Sequence, residues 1–325
     1  MKEQQKTIQP ARLENFPISW FATVMGLAGF AIAWHRAETV MSLPFRVSHF
    51  ILGLTIVIFI LLGVLYLGKL MKYRAQVFAE INHPVKLNFF PTVSIGLLLV
   101  SIALLHHQFM AAYWLWVVGA ALHLLVTLYV LSVWIHHSHF EIHHINPAWF
   151  IPIVGNILVP IAGVKFASIE ISWFYFSIGL LFWLVLFAII FYRVIFHQPL
   201  PGKLTPTLFI LIAPPAVGFV SWIQLTDTLD PFARILYYTA LFLTLMLATQ
   251  VRRFMRLKFF LSWWAYSFPL AAVTIASLLM YQNTELVFFA GLSWFLLVIL
   301  SLVILLLVYK TLAAVSRKEI CIEED

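Results

Sequence analysis

The sequence predicts an all-α membrane protein of ten transmembrane helices that pair as loosely repeated hairpins, five in an inner ring and five in an outer one. Three observations predict it. The first is composition: 63% of the 325 residues are apolar and 10% are charged, against about 25% charged in an average soluble domain. So little charge cannot coat a water-facing surface, and lipid must be the main solvent. The second is a series of ten apolar runs, each near the roughly 20 residues that a bilayer crossing needs. The third is the placement of proline on alternate runs.

The runs are Phe16–Trp34, Ser48–Leu70, Phe89–Leu105, Ala112–Ile135, Pro147–Phe166, Ile171–Val194, Thr205–Leu225, Pro231–Gln250, Leu261–Met280 and Leu286–Tyr309. Asn156 and two prolines interrupt the fifth. The expected organisation is an N-terminal tail over 1–15, a ten-helix domain over 16–310 and a C-terminal tail over 311–325. A signal peptide would show a short apolar stretch and a small-residue cleavage site. Here the run that opens at Phe16 continues to Trp34, which fits a first membrane helix better. The one cysteine, Cys321, excludes a disulfide within the chain and a cysteine-based metal site.

An even number of runs puts both termini on one side, and the positive-inside rule says which. With the N-terminus cytoplasmic, sixteen Lys and Arg fall inside, among them Lys69, Lys86, Lys203 and the group Arg252, Arg253, Arg256 and Lys258. Four fall outside: Arg36, Arg46, Lys165 and Arg234. This asymmetry accounts for the formal net charge of +7 without a nucleic-acid partner. A multi-pass protein of the plasma (inner) membrane with cytoplasmic termini is expected, in contact with lipid.

Proline marks the odd-numbered runs: Pro17, Pro91, Pro152 with Pro160, Pro214 with Pro215, and Pro269. Even-numbered runs carry none inside, since Pro231 stands at a first turn where proline is tolerated. Interior proline removes a backbone bond and bends a helix. In membranes, broken backbone is tolerated where protein buries it or where it lines a cavity. All five proline-bearing helices would cross in the same direction, as an inner ring. Proline can also merely adjust packing, being common in membrane helices; alternation over ten runs favours the ring. Beside these prolines stand Phe16, Phe90, Phe150 with Ile151, and Phe268. Phe268 lies deepest in its run, where a phenyl ring projecting from a bend can plug a narrow channel or pack as ordinary core.

The strings NHPVKLNFFP (82–91), INPAWFIPIVGN (145–156), LIAPPAVGF (211–219) and WWAYSFPLAA (263–272), with FPISWFATVMGLAGF (16–30), resemble the tellurite-resistance/dicarboxylate transporter family. That family includes bacterial TehA, plant guard-cell slow anion channels and fungal malate and sulfite transporters. The resemblance covers nearly the whole chain, with its motifs in order on the odd-numbered runs. It implies five helical hairpins in quasi-five-fold arrangement around a central pore, a homotrimer with one pore per subunit, and conduction of small anions. It implies Phe268 as the pore gate. The expected lining and kink residues are Phe16, Pro17, Phe90, Pro91, Ile151, Pro152, Pro214, Pro215, Phe219 and Pro269. The long phosphorylatable N-terminal region of the plant members, and kinase control of that type, are not expected here. The alternative function is a proton-coupled carrier of tellurite, sulfite or a C4-dicarboxylate.

The odd-numbered runs contain almost no Lys, Arg, Asp or Glu, so no fixed charge would hold an ion tightly. Weak binding is what conduction requires, and aromatic ring edges are electropositive. The basic group Arg252 to Lys258 either concentrates anions at the mouth or serves topology and lipid contact. A histidine-rich loop holds His136, His137, His139, His143, His144 and Glu141. Histidine is a common metal ligand, but one cluster, with His106-His107 on the opposite side, is too few for a di-iron oxidoreductase. A polar loop, or one that gains charge in acid and attracts anions, is the better reading. His123, mid-run in the fourth helix, is either structural or the proton carrier that a coupled transporter would need. No enzyme activity, cofactor or metal is expected.

Overall fold

The computed structural model describes residues 12–105, 107–136 and 140–321. Ten helical spans are long and apolar enough to cross a membrane, and no strand occurs among the described residues. The odd-numbered spans are Ile18–Val40, Lys86–Leu104, Pro147–Phe166, Thr205–Thr226 and Leu261–Thr284. The even-numbered spans are Val47–Lys72, Phe109–His136, Ile169–Phe196, Pro231–Ala248 and Val287–Ser316. Boundaries run past the apolar runs at several ends, notably through His35-Arg36 and to Ser316, because interfacial and polar residues continue a helix beyond the hydrocarbon.

Burial separates the two sets. The odd-numbered spans are 61–89% buried and the even-numbered ones 22–33%. Val57, Leu125, Val185, Phe242 and Leu302 on the even-numbered spans are each well exposed, an arrangement that needs apolar surroundings such as lipid. Every odd-numbered span packs on the even-numbered span that follows it. The odd-numbered spans also contact one another in cyclic order, first on third, third on fifth, fifth on seventh, seventh on ninth and ninth on first.

All five odd-numbered spans begin in the same way, with a 3₁₀ segment that passes into an α-helix: Ile18–Trp20 into Phe21–Val40, Lys86–Phe89 into Pro91–Leu104, Pro147–Phe150 into Ile151–Phe166, Thr205–Ile212 into Ala213–Thr226, and Leu261–Tyr266 into Ser267–Thr284. The prolines mark this junction rather than a mid-helix bend. Pro91, Pro152, Pro214 and Pro215 stand in the first turn of the α-helical part, where the missing N–H costs nothing. Pro269 is the third residue of its helix, and Pro17 precedes the 3₁₀ turn. Among the described residues Pro160 is the proline inside an α-helix. Trp116 donates to the Val159 carbonyl at 2.9 Å, and the Ser221 hydroxyl donates to that of Ile157. Asn156 is absorbed locally, donating to the Ile153 carbonyl at 3.0 Å and to Thr127 at 3.2 Å. The fifth span therefore crosses in spite of its interruptions.

Candidate functional site

Between the odd-numbered spans lies a cavity of about 610 Å³, room for on the order of 20 waters. All five odd-numbered spans line it, through Met25, Ile95, Val154, Leu158, Ala213, Phe268 and others. It opens where these spans begin. Glu14 and Cys321, near the two ends of the described chain, both line it. Along the spans its lining reaches Met25, Ile95, Leu158, Ala213 and Pro269 and no further among the described residues, so it is blind part-way across. The blind end is apolar.

Phe268 is one wall of that end. It is the eighth residue of its 24-residue span and 8% exposed. Its ring lies close to the first span because position 29 is glycine: a Cβ there would stand 3.2 Å from the ring and 3.0 Å from the Ala271 methyl. One turn earlier Gly26 meets Ser267, which a Cβ would strike. Small residues at such crossings let helices approach closely.

Of the other expected residues, Pro17, Ile151 and Pro269 line the cavity. The remaining ones are not among its lining. Phe16 stacks on Trp20 with ring centroids 5.7 Å apart. Phe90 meets Tyr66 edge-on at 6.3 Å, and Phe219 is fully buried against Tyr237. Pro91, Pro152, Pro214 and Pro215 are buried in the helix junctions.

Charge gathers where these spans begin. The basic group Arg252, Arg253, Arg256 and Lys258 does not line the cavity; Lys69, Lys86, Lys203 and His83 do. Lys69 is matched within the wall: its ammonium lies 2.9 Å from the Glu80 carboxylate and donates to the Phe16 carbonyl at 2.9 Å. Tyr66 donates to the other Glu80 oxygen at 2.8 Å. Glu80 sits on the short helix Arg74–Ile81, whose Gln76 also donates to Glu14 at 2.6 Å. Near the C-terminal end Cys321 packs, like Trp20, against the apolar cluster that holds Phe16, and burial raises its thiol pKa.

A cavity lined by all five odd-numbered spans, with an aromatic ring among its inner lining, suits the passage of a small solute, and comparison with known proteins gives the class. The family model described as "Voltage-dependent anion channel" (SLAC1) matches residues 15–312. The chain belongs to the SLAC1 family. It is 28% identical over 292 residues to the S-type anion channel SLAH2 of Arabidopsis thaliana, covering 86% of this chain and 56% of that one. The chain thus spans little more than half of that plant relative. An uncharacterised transporter of Methanocaldococcus jannaschii is 28% identical over 296 residues, covering 83% of this chain and 86% of its own. The tellurite resistance protein TehA homologue of Haemophilus influenzae is 24% identical over 307 residues, covering 93% and 91%.

Most histidines of this SLAC1-family chain lie away from the cavity. In the loop after the fourth span, His143 pairs with Glu141 at 3.2 Å, both exposed, and His136 bonds the Ser132 carbonyl. His137 and His139 lie outside the described residues. No group of three or more His, Cys, Asp or Glu suited to a metal occurs among the described residues. At the opposite ends of the spans, His107 meets His35 and His49, with ring centroids 5.2 and 4.4 Å away. Burial, then His49 and Arg46, lower the His107 pKa. Sequence reading missed this trio because its members come from three separate segments.

His123 is fully buried and does not line the cavity. Its Nδ1 shares a hydrogen bond of 2.9 Å with the Ser94 hydroxyl of the third span, and its ring packs on Gly155 of the fifth. A methyl group at Gly155 would occupy the space of the imidazole. Gly155→Ala is therefore expected to lower stability by about 1–3 kcal/mol, the usual cost of overpacking. Thermal unfolding in detergent measures it. Addition of His123→Ala should return part of the loss; no recovery would mean that the two positions do not compete for this space.

Proposed function

We propose that the chain is a channel for small anions, its pore enclosed by the five odd-numbered spans in quasi-five-fold order and gated by Phe268. The observation that carries this reading is the cavity that all five odd-numbered spans line and whose apolar inner lining includes Phe268. Its inner end presents Met25, Ile95, Val154, Leu158 and Ala213 beside Phe268. An apolar constriction of this kind gates by excluding water, since an ion cannot shed its hydration shell there without replacement. When the ring moves aside, phenyl edges meet a passing anion with positive potential. No fixed charge then traps it, so it leaves as readily as it enters.

Pro17, Ile151 and Pro269 shape the path, and the other expected prolines set the junctions from which the five helices start. The protein would sit in the plasma membrane, in bacteria the inner membrane, with both termini and the cavity mouth cytoplasmic. The sixteen-to-four distribution of basic residues supports that orientation. A homotrimer with one pore per subunit follows from the family resemblance. Reversal potentials of protein reconstituted in liposomes test the function. In a salt gradient the potential should move toward the anion equilibrium value, with chloride, nitrate and an organic acid ranked by their dehydration cost. A potential that follows the cation instead excludes an anion channel.

A further inference from the structure

We propose that His123, oriented by Ser94 and set behind Gly155, is a proton site that fills when a small anion occupies the inner end of the cavity. The proposal rests on the channel reading for the place of the anion and adds a coupled proton to it. His123 is fully buried in the fourth span. Its Nδ1 lies 2.9 Å from the Ser94 hydroxyl. That hydroxyl has a single proton, which it donates to the Pro91 carbonyl at 2.8 Å. Toward the imidazole Ser94 therefore accepts, so Nδ1 carries the ring proton and Nε2 presents a bare lone pair. Nε2 has no hydrogen-bond partner. The Pro152 carbonyl near the ring has no proton to give it, and already accepts from Thr127 at 2.6 Å and Asn156 at 3.3 Å. A buried acceptor left unpaired in this way needs a physical reason, and an exchangeable proton supplies one.

Gly155 meets both the ring and the cavity. It is part of the cavity lining, and a Cβ on it would stand 2.4 Å from Nε2 and 2.8 Å from Ile95, which also lines the cavity. With no side chain at this position, the ring and the cavity are brought within the thickness of one backbone. Pro160 lacks the N–H that would bond the Asn156 carbonyl. The backbone beside Gly155 is thus held by one helical bond fewer, and it can yield to let a proton pass.

A proton on Nε2 places a positive charge in an apolar wall, which is costly without a counter-charge. The third, fourth and fifth spans, which meet at the ring, carry no Asp or Glu. Their cations are remote: Lys86 opens the third span and Lys165 is exposed near the end of the fifth. Tyr113, Tyr129 and His136 of the fourth span stand at least six residues from His123. From the sixth span Tyr175 approaches, its hydroxyl donating to the Ala120 carbonyl at 3.1 Å, while Glu170 is exposed in the first turn. The counter-charge then has to come from the cavity. Proton and anion favour each other by the same factor: acid tightens anion binding, and anion binding takes up a proton.

The test uses the full chain and nitrate. In mildly acidic, weakly buffered detergent solution, nitrate should raise the pH more than gluconate of equal ionic strength, and His123→Gln should abolish the difference. Nitrogen NMR of protein with isotope-labelled histidines reads the ring directly, its signal assigned by loss in His123→Gln or, should that variant not fold, by its shift in Ser94→Ala. Without nitrate it should show the proton on Nδ1 alone, and with nitrate a proton on both nitrogens. A ring that carries its proton on Nε2, or that ignores nitrate, overturns the proposal whether or not the protein conducts. The second readout is current in a Phe268→Ala background. The nitrate concentration for half-maximal current should fall about tenfold between pH 7.5 and 5.5, and His123→Gln should remove that fall. If Phe268→Ala conducts with the same nitrate dependence at both pH values, the proton site is wrong and the channel reading survives. Nitrate-linked proton uptake by His123 in a protein that never conducts would retain the site and remove the channel.

Discussion

Replacing Phe268 by alanine is expected to raise anion conductance about tenfold or more. The ring stands at the blind end of the cavity, held against the first span by the absence of a side chain at Gly29. In the proposed channel its removal would open the apolar inner end of the cavity, where the barrier is the cost of dehydrating the ion. A barrier lowered by about 1.4 kcal/mol already gives a factor of ten. Phe268→Leu, which shortens the plug without deleting it, should fall between alanine and the native residue. Unitary recording in bilayers decides the matter. A folded Phe268→Ala protein with unaltered conductance would mean that the ring is packing and that the gate lies elsewhere. The cost in stability should be smaller than the roughly 3–5 kcal/mol of a phenylalanine deleted from a closed core, because the ring already borders a cavity.

The second large effect is expected at the mouth. Glu80→Gln leaves the Lys69 ammonium in a wall where its side chain is 1% exposed, with the counter-charge gone. Breaking a buried pair by removing one partner costs about 3–5 kcal/mol. The loss should appear as a lower Tm in detergent. Replacing both residues by methionine should cost less than Glu80→Gln, since no uncompensated charge remains; the double-mutant cycle isolates the coupling. A Tm for Glu80→Gln equal to that of the native protein would show that water reaches Lys69. Because Lys69 also holds the Phe16 carbonyl, the same variant should loosen the entry of the first span and with it the wall around Pro17.

The two predictions differ in how far the sequence announces them. Phe268 stands out through its neighbours Ser267 and Pro269 and through its depth in an apolar run. Lys69 and Glu80 carry no such mark. One lies in the last turn of a span and the other sits on an eight-residue helix, and the sequence places Lys69 among the solvated cytoplasmic charges. The basic group Arg252 to Lys258 misleads in the other direction, since density of charge in the chain does not say which surface it faces. His83 reads as part of a motif, yet its Nδ1 accepts from the Val85 and Lys86 N–H groups, a contact that only the turn supplies.

By itself the sequence determined the number of spans, their common direction and which five are inner, because lipid length and proline position leave local marks on the chain. Which residues face the cavity was decided only by the tertiary structure. The physical reason is that hydrocarbon and protein interior are equally apolar. A membrane helix therefore lacks the polar face that, in water, tells inside from outside. Phe219 and Phe268 look alike in sequence; one is sealed against Tyr237 and the other borders open space. His83 and Lys203 lie on different segments of the chain, and only the closing of the third and seventh spans around one cavity brings them to the same mouth.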